Sequence, residues 1–156
     1  MQGAAPPEEN AMRAAGSAFM ARYPQMPGAA PPQVEKPIRV ARLDRGGYFL
    51  LVPLRDGLER RGLVQLDAET LAVESIAAVS GDQILSLLSP QEALAMAQAA
   101  FPQEHGWREP ELGWRPCRES YSSLMPLWVV GHAEGQVYVG QDGRVFAQLS
   151  QGKGGG

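Results

Sequence analysis

Two parts of this 156-residue chain match each other at a constant offset of 78 positions. Tyr23-Pro24-Gln25 matches Phe101-Pro102-Gln103, and Phe49-Leu50-Leu51-Val52 matches Leu127-Trp128-Val129-Val130. Two matches at one spacing indicate a duplicated supersecondary unit, which has to bury its apolar face within its own half or against its neighbour. We therefore predict an α+β fold of two repeats, in which one helix covers the apolar face of its own antiparallel β-sheet.

The clearest local signal is a helix start at Ser89-Pro90-Gln91-Glu92. A serine N-cap, a proline at the first helical position and a glutamate at the third together suit the donors that a helix start leaves unbonded. This helix is expected to end near Phe101, because Pro102 disfavours helical geometry in the residue before it. An earlier helix is predicted over residues 8–23, where apolar and small side chains recur every three or four positions and the first turn is acidic.

The strands are predicted from runs of apolar and β-branched residues that lie between turn residues. These runs cover residues 37–43, 48–52, 63–66 and 71–76 in the first half, and residues 124–130, 136–139 and 144–149 in the second. Residues 25–37 are predicted to form an ordered, proline-rich loop or a short linker. Residues 105–118 show no clear period.

The predicted organisation has four parts. Residues 1–6 form a flexible N-terminus, residues 7–86 the first repeat, residues 87–150 the second repeat and residues 151–156 a flexible glycine-rich tail. Six residues that contain four glycines cannot pack a core, so the tail is expected to be mobile.

The second half resembles the PepSY family. That family has an alanine-rich helix with a Ser/Pro/Glu start, then a strand, then a strand that ends in an aspartate turn, and Ser89-Pro90-Gln91-Glu92-Ala93, residues 126–130 and residues 137–145 are similar to these parts. The first half is similar through Leu66-Asp67-Ala68-Glu69-Thr70-Leu71, but it departs from the pattern because Leu71 occupies a position where glycine is usual.

The resemblance implies cystatin-like units, each with a helix on a sheet. It also implies an inhibitor-like role in binding or restraining a protein partner, which in this family is often a peptidase. PepSY proteins are mostly exported or attached to a membrane.

Composition and charge disfavour several classes of partner. The chain has 14 Lys and Arg residues against 17 Asp and Glu residues, a net charge of -3, so we expect no nucleic acid as a partner. The apolar runs are far shorter than the roughly 20 residues that span a bilayer. The first residues also lack the cationic and apolar parts of a signal peptide, so we expect no membrane partner and a cytoplasmic location.

No catalytic residue, metal site or cofactor is predicted. Cys117, His105 and His132 are the only cysteine and histidines, and their spacing matches no common metal motif. The expectation is therefore a protein without enzymatic activity. The alternative is a small enzyme that uses Cys117, and it requires an accessible thiol with a depressed pKa and a histidine nitrogen within hydrogen-bond reach.

Aromatic and arginine side chains alternate in residues 105–125, and these are the residue types that most often anchor protein interfaces. Trp107 and Trp114 could instead cover the sheet. The residues predicted to bind a partner are Trp107, Arg108, Trp114, Arg115, Arg118 and Tyr121.

We therefore expect a non-enzymatic module that binds a protein or a peptide. The most specific version of this prediction is a module that restrains a peptidase. A further alternative is a precursor or carrier protein whose glycine-rich tail is modified or cleaved.

Overall fold

The chain adopts an α+β fold with a large mixed sheet. The computed structural model describes residues 7–24, 28, 30–56, 60–80 and 87–151, which form two helices and nine strands. The predicted flexible N-terminus, and the predicted glycine-rich tail apart from Gln151, lie outside the described residues.

The elements are numbered in chain order. The two helices are α1 (Pro7–Arg22) and α2 (Pro90–Ala100). The nine strands are β1 (Gln33–Val34), β2 (Ile38–Arg42), β3 (Tyr48–Asp56), β4 (Arg60–Asp67), β5 (Val73–Ser80), β6 (Glu111–Trp114), β7 (Leu127–His132), β8 (Gly135–Val139) and β9 (Val145–Phe146).

The chain divides into two compact units. The first unit comprises Met1–Arg39 and Tyr48–Leu85, and the second comprises Val40–Gly47 and Ser86–Gly156. The segment Val40–Gly47, which the sequence assigned to the first repeat, is grouped with the second unit because β2 pairs with β6.

In the first unit, α1 packs on β3, β4 and β5, which pair antiparallel in that order. The short strand β1 adds to β3, also antiparallel. Small and aromatic side chains spaced four apart on α1 face the strands and exclude water from them. This buried cluster, here named the α1 cluster, consists of Ala11, Ala15, Phe19, Val52, Leu54, Val64 and Leu66.

In the second unit, α2 packs on β7, β8 and β9 through the buried Ala93 and Ala97. The pairs β7–β8 and β8–β9 are antiparallel, as predicted, and β6, for which the sequence predicted no strand, also pairs antiparallel with β7. The prediction of purely antiparallel sheets is nevertheless wrong, because β2 runs parallel to β6, with Ala41 opposite Gly113. A side chain at Gly113 would place its Cβ only 2.8 Å from Leu43 Cδ2, so glycine permits this close approach.

Both predicted helices are confirmed to within a residue or two. The Ser89 hydroxyl accepts the Glu92 N–H at 3.1 Å, and the Glu92 carboxylate accepts the Ser89 N–H at 2.9 Å, which completes the capping box. Pro24 follows the end of α1, and Pro102 follows the C-cap of α2, as the sequence indicated.

The strands differ from the prediction where pairing with a segment distant in sequence determines whether, and over how many residues, a strand forms. Strand β6 lies in residues 105–118, which carry no visible period because only four residues are extended there. Strand β9 has two residues rather than the six predicted, and only Val145 and Phe146 pair with β8. Strand β1 lies within the predicted loop.

Leu71 has a φ of 63°, the left-handed conformation that glycine adopts most easily. It follows the Asp67 turn, in which the Asp67 carboxylate accepts the N–H groups of Glu69 and Thr70. The glycine-like position that the sequence flagged therefore has glycine-like backbone geometry, while the leucine side chain packs against the α1 cluster.

Gly62 provides a test of the first unit's packing. A Cβ at this position would lie 2.8 Å from the Phe19 Cζ atom and closer still to Cε1, and the Phe19 ring is fully buried. We expect Gly62→Ala to destabilise the protein by about 1–3 kcal/mol through overpacking, measured by urea unfolding.

The matched comparison is the same substitution in a Phe19→Leu background. Removal of the ring edge should reduce the cost of Gly62→Ala, giving a coupling energy of roughly 1 kcal/mol in a double-mutant cycle. Equal costs in both backgrounds would contradict this account of the contact.

Candidate functional site

Tyr121 is the most exposed large apolar side chain among the described residues, with 90% of its surface accessible. It lies on the segment between β6 and β7, and Met125, which is 49% exposed, follows on the same segment. Two large side chains held out into solvent so close together in sequence are unusual in a body that buries most of its apolar residues.

The loop that carries Tyr121 is fixed by the Ser120 side chain. The Ser120 hydroxyl donates to the Met125 carbonyl at 2.6 Å and accepts the Trp114 indole N–H at 3.2 Å. The Ser122 carbonyl accepts the Met125 N–H at 2.9 Å, and its hydroxyl accepts the Leu124 N–H at 3.1 Å. These bonds satisfy backbone groups of the loop internally, so Tyr121 is exposed on an ordered loop.

Beside this loop is a cavity of about 220 Å³, here named the Tyr121 groove. One wall comes from the loop between β6 and β7 that carries Tyr121, here named the Tyr121 loop. The other wall comes from the turn between β8 and β9. The groove is lined by Glu119, Ser120, Tyr121, Ser122, Met125, Gly140, Gln141, Asp142 and Arg144.

Gln141 links the second wall to the rest of the unit. Its side-chain N–H donates to the Pro126 carbonyl at 2.6 Å, and its side-chain oxygen accepts the Leu88 N–H at 2.7 Å. The Trp128 indole donates to the Leu88 carbonyl at 3.0 Å. The residue before the α2 cap, the start of β7 and the β8–β9 turn are thereby held together.

Asp142 and Arg144 form an exposed ion pair at the groove, with the Arg144 Nε atom 2.8 Å from the carboxylate. The Arg144 backbone N–H also donates to this carboxylate at 3.0 Å. That backbone bond is the main reason why the pKa of Asp142 is lowered, and the guanidinium adds to it. The groove therefore has a charged rim with a fixed geometry.

Glu119 anchors the segment that follows β9. Its carboxylate accepts both the N–H and the hydroxyl of Ser150, each at 2.9 Å, and the Ser150 hydroxyl oxygen accepts the Arg118 N–H at 2.9 Å. Burial is the largest influence on the Glu119 pKa and raises it, but the hydrogen bonds, chiefly those from Ser150, outweigh burial and lower the pKa overall.

Four of the six predicted binding residues lie on the Tyr121 loop or directly before it. Trp114 is half-buried at the end of β6, where its indole is bonded to Ser120. Arg115 is half-buried and donates to the Pro116 carbonyl at 3.1 Å, whereas Arg118 is exposed. Of these four, only Tyr121 and Arg118 present exposed side chains.

The other two predicted residues lie at the opposite end of β7. The half-buried Trp107 ring packs on the His132 ring at 5.1 Å between centroids. The Arg108 N–H donates to the Gly131 carbonyl at 2.9 Å, and its guanidinium lies over Gly131. The structure therefore does not bring all six residues to one place, because β7 separates them.

Several groove residues were missed by sequence reasoning. Met125 ends the segment 105–125, and Gln141 precedes the Asp142-Gly143 turn, but neither residue was singled out. Met125 is held by local bonds to Ser120 and Ser122. Gln141 is held by bonds to Leu88 and Pro126, which are distant in sequence. Asp142 had a signal, since the Asp142-Gly143 turn is visible in the sequence, but nothing local indicated that this turn lies beside Tyr121.

The thiol of Cys117 is buried, and burial raises its pKa. Its sulfur lies 3.9 Å from the Ser120 carbonyl, and the groups that act on it are Ser120, Glu119 and Arg115 rather than a histidine. The accessible thiol and depressed pKa that the enzyme alternative requires are therefore not found at Cys117.

The two histidines lie in different surroundings. His105 is exposed, whereas His132 is buried, with its Nδ1 atom 3.3 Å from a Glu104 carboxylate oxygen and also 3.3 Å from the Glu134 N–H. Within the described ranges, no three Asp, Glu, His or Cys side chains come together to hold a metal ion. No helix in the described part of the chain is long and apolar enough to cross a membrane.

Among the described residues, each unit contains a further hollow. One, of about 240 Å³ in the second unit, is bordered by Arg108 together with Glu109 and Glu111. The other, of about 350 Å³ in the first unit, is bordered by Tyr48 and by Arg39, whose guanidinium stacks on the Tyr48 ring at 4.3 Å. Neither includes a large apolar side chain as exposed as Tyr121.

The Glu119–Ser150 anchor predicts a pH dependence. Because the Glu119 pKa lies below its ordinary value of 4.5, the ionised carboxylate stabilises the anchor fully above pH 4.5. This contribution is lost as the pH falls through the lower, folded-state pKa. We expect the Ser150 amide signal in an NMR titration to stay constant down to pH 4.5 and to move below it.

The matched control is Glu119→Gln, which cannot titrate and should give a Ser150 signal with no corresponding step. A step centred at or above pH 4.5 in the unsubstituted protein, or the same step in the Gln variant, would show that the Glu119 carboxylate does not hold Ser150.

No protein-family model and no curated protein matches the chain. Among solved structures, the chain is similar to a putative lipoprotein from Clostridium difficile 630. The two are 13% identical over 86% of this chain and 88% of the other, with a TM-score of 0.31. A likeness at this level carries no conclusion about function.

Proposed function

We propose that this chain is a non-enzymatic module that binds a protein or a peptide through the Tyr121 groove. The observation that carries the proposal is the Tyr121 ring, 90% exposed, on a loop whose backbone is fixed by Ser120 and Ser122. A rigid exposed aromatic is a favourable anchor, because it gains a large apolar contact at little cost in conformational entropy.

The size of the groove favours a macromolecular partner over a small molecule. Its volume of about 220 Å³ is below the roughly 300–1,000 Å³ typical of ligand pockets. It suits a single side chain of a partner. The Tyr121 ring lines the groove and is 90% exposed, so it can also contact the partner's own surface.

The chemistry around the groove matches the layout of a protein interface. Met125 is flexible and polarisable, which lets it adapt to an apolar side chain of the partner. The exposed Asp142–Arg144 pair supplies a polar rim. We infer a partner segment that carries one apolar side chain for the cavity and polar groups for this rim.

The proposal includes a duplicated, PepSY-like architecture. In support, each compact unit holds one helix packed on strands of that unit, α1 on β3–β5 and α2 on β7–β9. Each unit also has an aspartate turn with a residue of positive φ, Leu71 four residues after Asp67 in the first and Gly143 directly after Asp142 in the second. The PepSY resemblance implies a protein partner, which in that family is often a peptidase.

The test compares partner capture by three forms of the protein. The first is unsubstituted, the second carries Tyr121→Ala with Met125→Ala, and the third carries Tyr48→Ala. Tyr48, 41% exposed in the first unit, provides a matched loss of one aromatic ring. A protein captured from a lysate of the source cells by the first and third forms should be lost from the second.

Direct titration of that captured protein should then show weaker binding by about 30-fold for the double variant, equivalent to about 2 kcal/mol. The thermal midpoint of the double variant should stay close to that of the unsubstituted protein, because exposed side chains add little to stability. Equal binding by the double variant, or loss of binding on Tyr48→Ala alone, would contradict the proposed site.

A further inference from the structure

Strand β5 presents a long edge in the first unit. It has eight residues and pairs with β4 on one side, and no strand in the described part of the chain pairs with its other side. In an antiparallel sheet, every second residue of such a strand directs its N–H and C=O groups away from the paired neighbour. An edge of this kind can accept another extended strand.

The composition of β5 does not block such pairing. Exposed edges are commonly protected by lysine, proline or very short strands, but β5 (VESIAAVS) has no lysine, arginine or proline and a single charge at Glu74. The last strand of the second unit, β9, has only two residues and offers no comparable edge. A bulge at Glu74 leaves residues 75–80 in regular register with β4.

We propose that β5 pairs antiparallel with β5 of a second copy of this chain, which joins two first units into one continuous sheet. A two-fold axis at Ala77 places Ala77 opposite Ala77 and Ile76 opposite Ala78. It also places Glu74 opposite Ser80, so the two carboxylates do not face each other. Small apolar side chains meet at the centre, and no like charges are opposed.

A second copy fits this edge better than a flexible peptide does. The β5 strand of another molecule is already held extended by its own β4, so it loses little conformational entropy on pairing. A flexible peptide would have to become ordered first. The faces also match, because Ile76 and Ala78 pack against the α1 cluster and the two-fold axis keeps both copies of this face on the same side of the sheet.

The test introduces charged side chains at Ala77, through which the proposed two-fold axis passes. Sedimentation of the whole chain from about 1 to about 200 µM should show a reversible dimer. Ala77→Lys alone and Ala77→Glu alone should each weaken dimerisation at least about tenfold, because like charges then face each other. An equimolar mixture of the two variants should restore a dimer that contains one copy of each.

Ala95→Lys is the matched control, since Ala95 is exposed on α2 in the other unit and should leave dimerisation unchanged. A monomer throughout the concentration range, a dimer that Ala77→Lys leaves intact, or no recovery on mixing would each overturn the proposal.

A measurement on the unsubstituted protein covers the case in which neither Ala77 variant folds. Amide hydrogens of β5 should exchange more slowly at high protein concentration than at low, while those of α2 should exchange at the same rate at both. Equal exchange of β5 at both concentrations would overturn the proposal without any variant.

Discussion

Close packing between a helix with small side chains and a strand surface is the interaction on which the first unit depends. Ala11, Ala15 and Phe19 are fully buried at intervals of four on α1, and they bring the helix close to β3, β4 and β5. The Phe19 ring can occupy its position because Gly62 has no side chain. Burial of the Phe19 ring adds a large apolar contact, which strengthens the packing of α1 on these strands.

The second unit uses the same principle with a shorter helix and supplements it with side-chain hydrogen bonds. Only Ala93 and Ala97 are buried on α2, which provides less apolar contact than the α1 face. Gln141 and Trp128 compensate by bonding to the two backbone groups of Leu88, just before the helix cap. These bonds are partly buried, and a buried polar group without a partner costs more free energy than an exposed one. They also fix the turn that forms one wall of the Tyr121 groove.

The sequence predicted an element correctly where the interaction that forms the element lies within a few neighbouring residues. The capping box of α2 closes within four residues, so its pattern indicated the helix start correctly. Strand β6 has only four residues and is set by its partners β2 and β7, so no local pattern could identify it or its parallel pairing. The same distinction separates the residues of the candidate site that were predicted from those that were missed. Tyr121 was predicted as a contact residue from its type, whereas Gln141 is placed by bonds to Leu88 and Pro126, which are distant in sequence.

The two aspartate turns place their residue of positive φ at different positions, directly after Asp142 in the second unit and four residues after Asp67 in the first. In the second unit, the residue of positive φ is Gly143, for which this conformation carries no steric cost. In the first unit it is Leu71, where the left-handed conformation costs roughly 1–2 kcal/mol. The Leu71 side chain offsets this cost by packing against the α1 cluster, which a glycine could not do. A left-handed turn position therefore accepts a leucine where the side chain has a buried apolar surface to pack against.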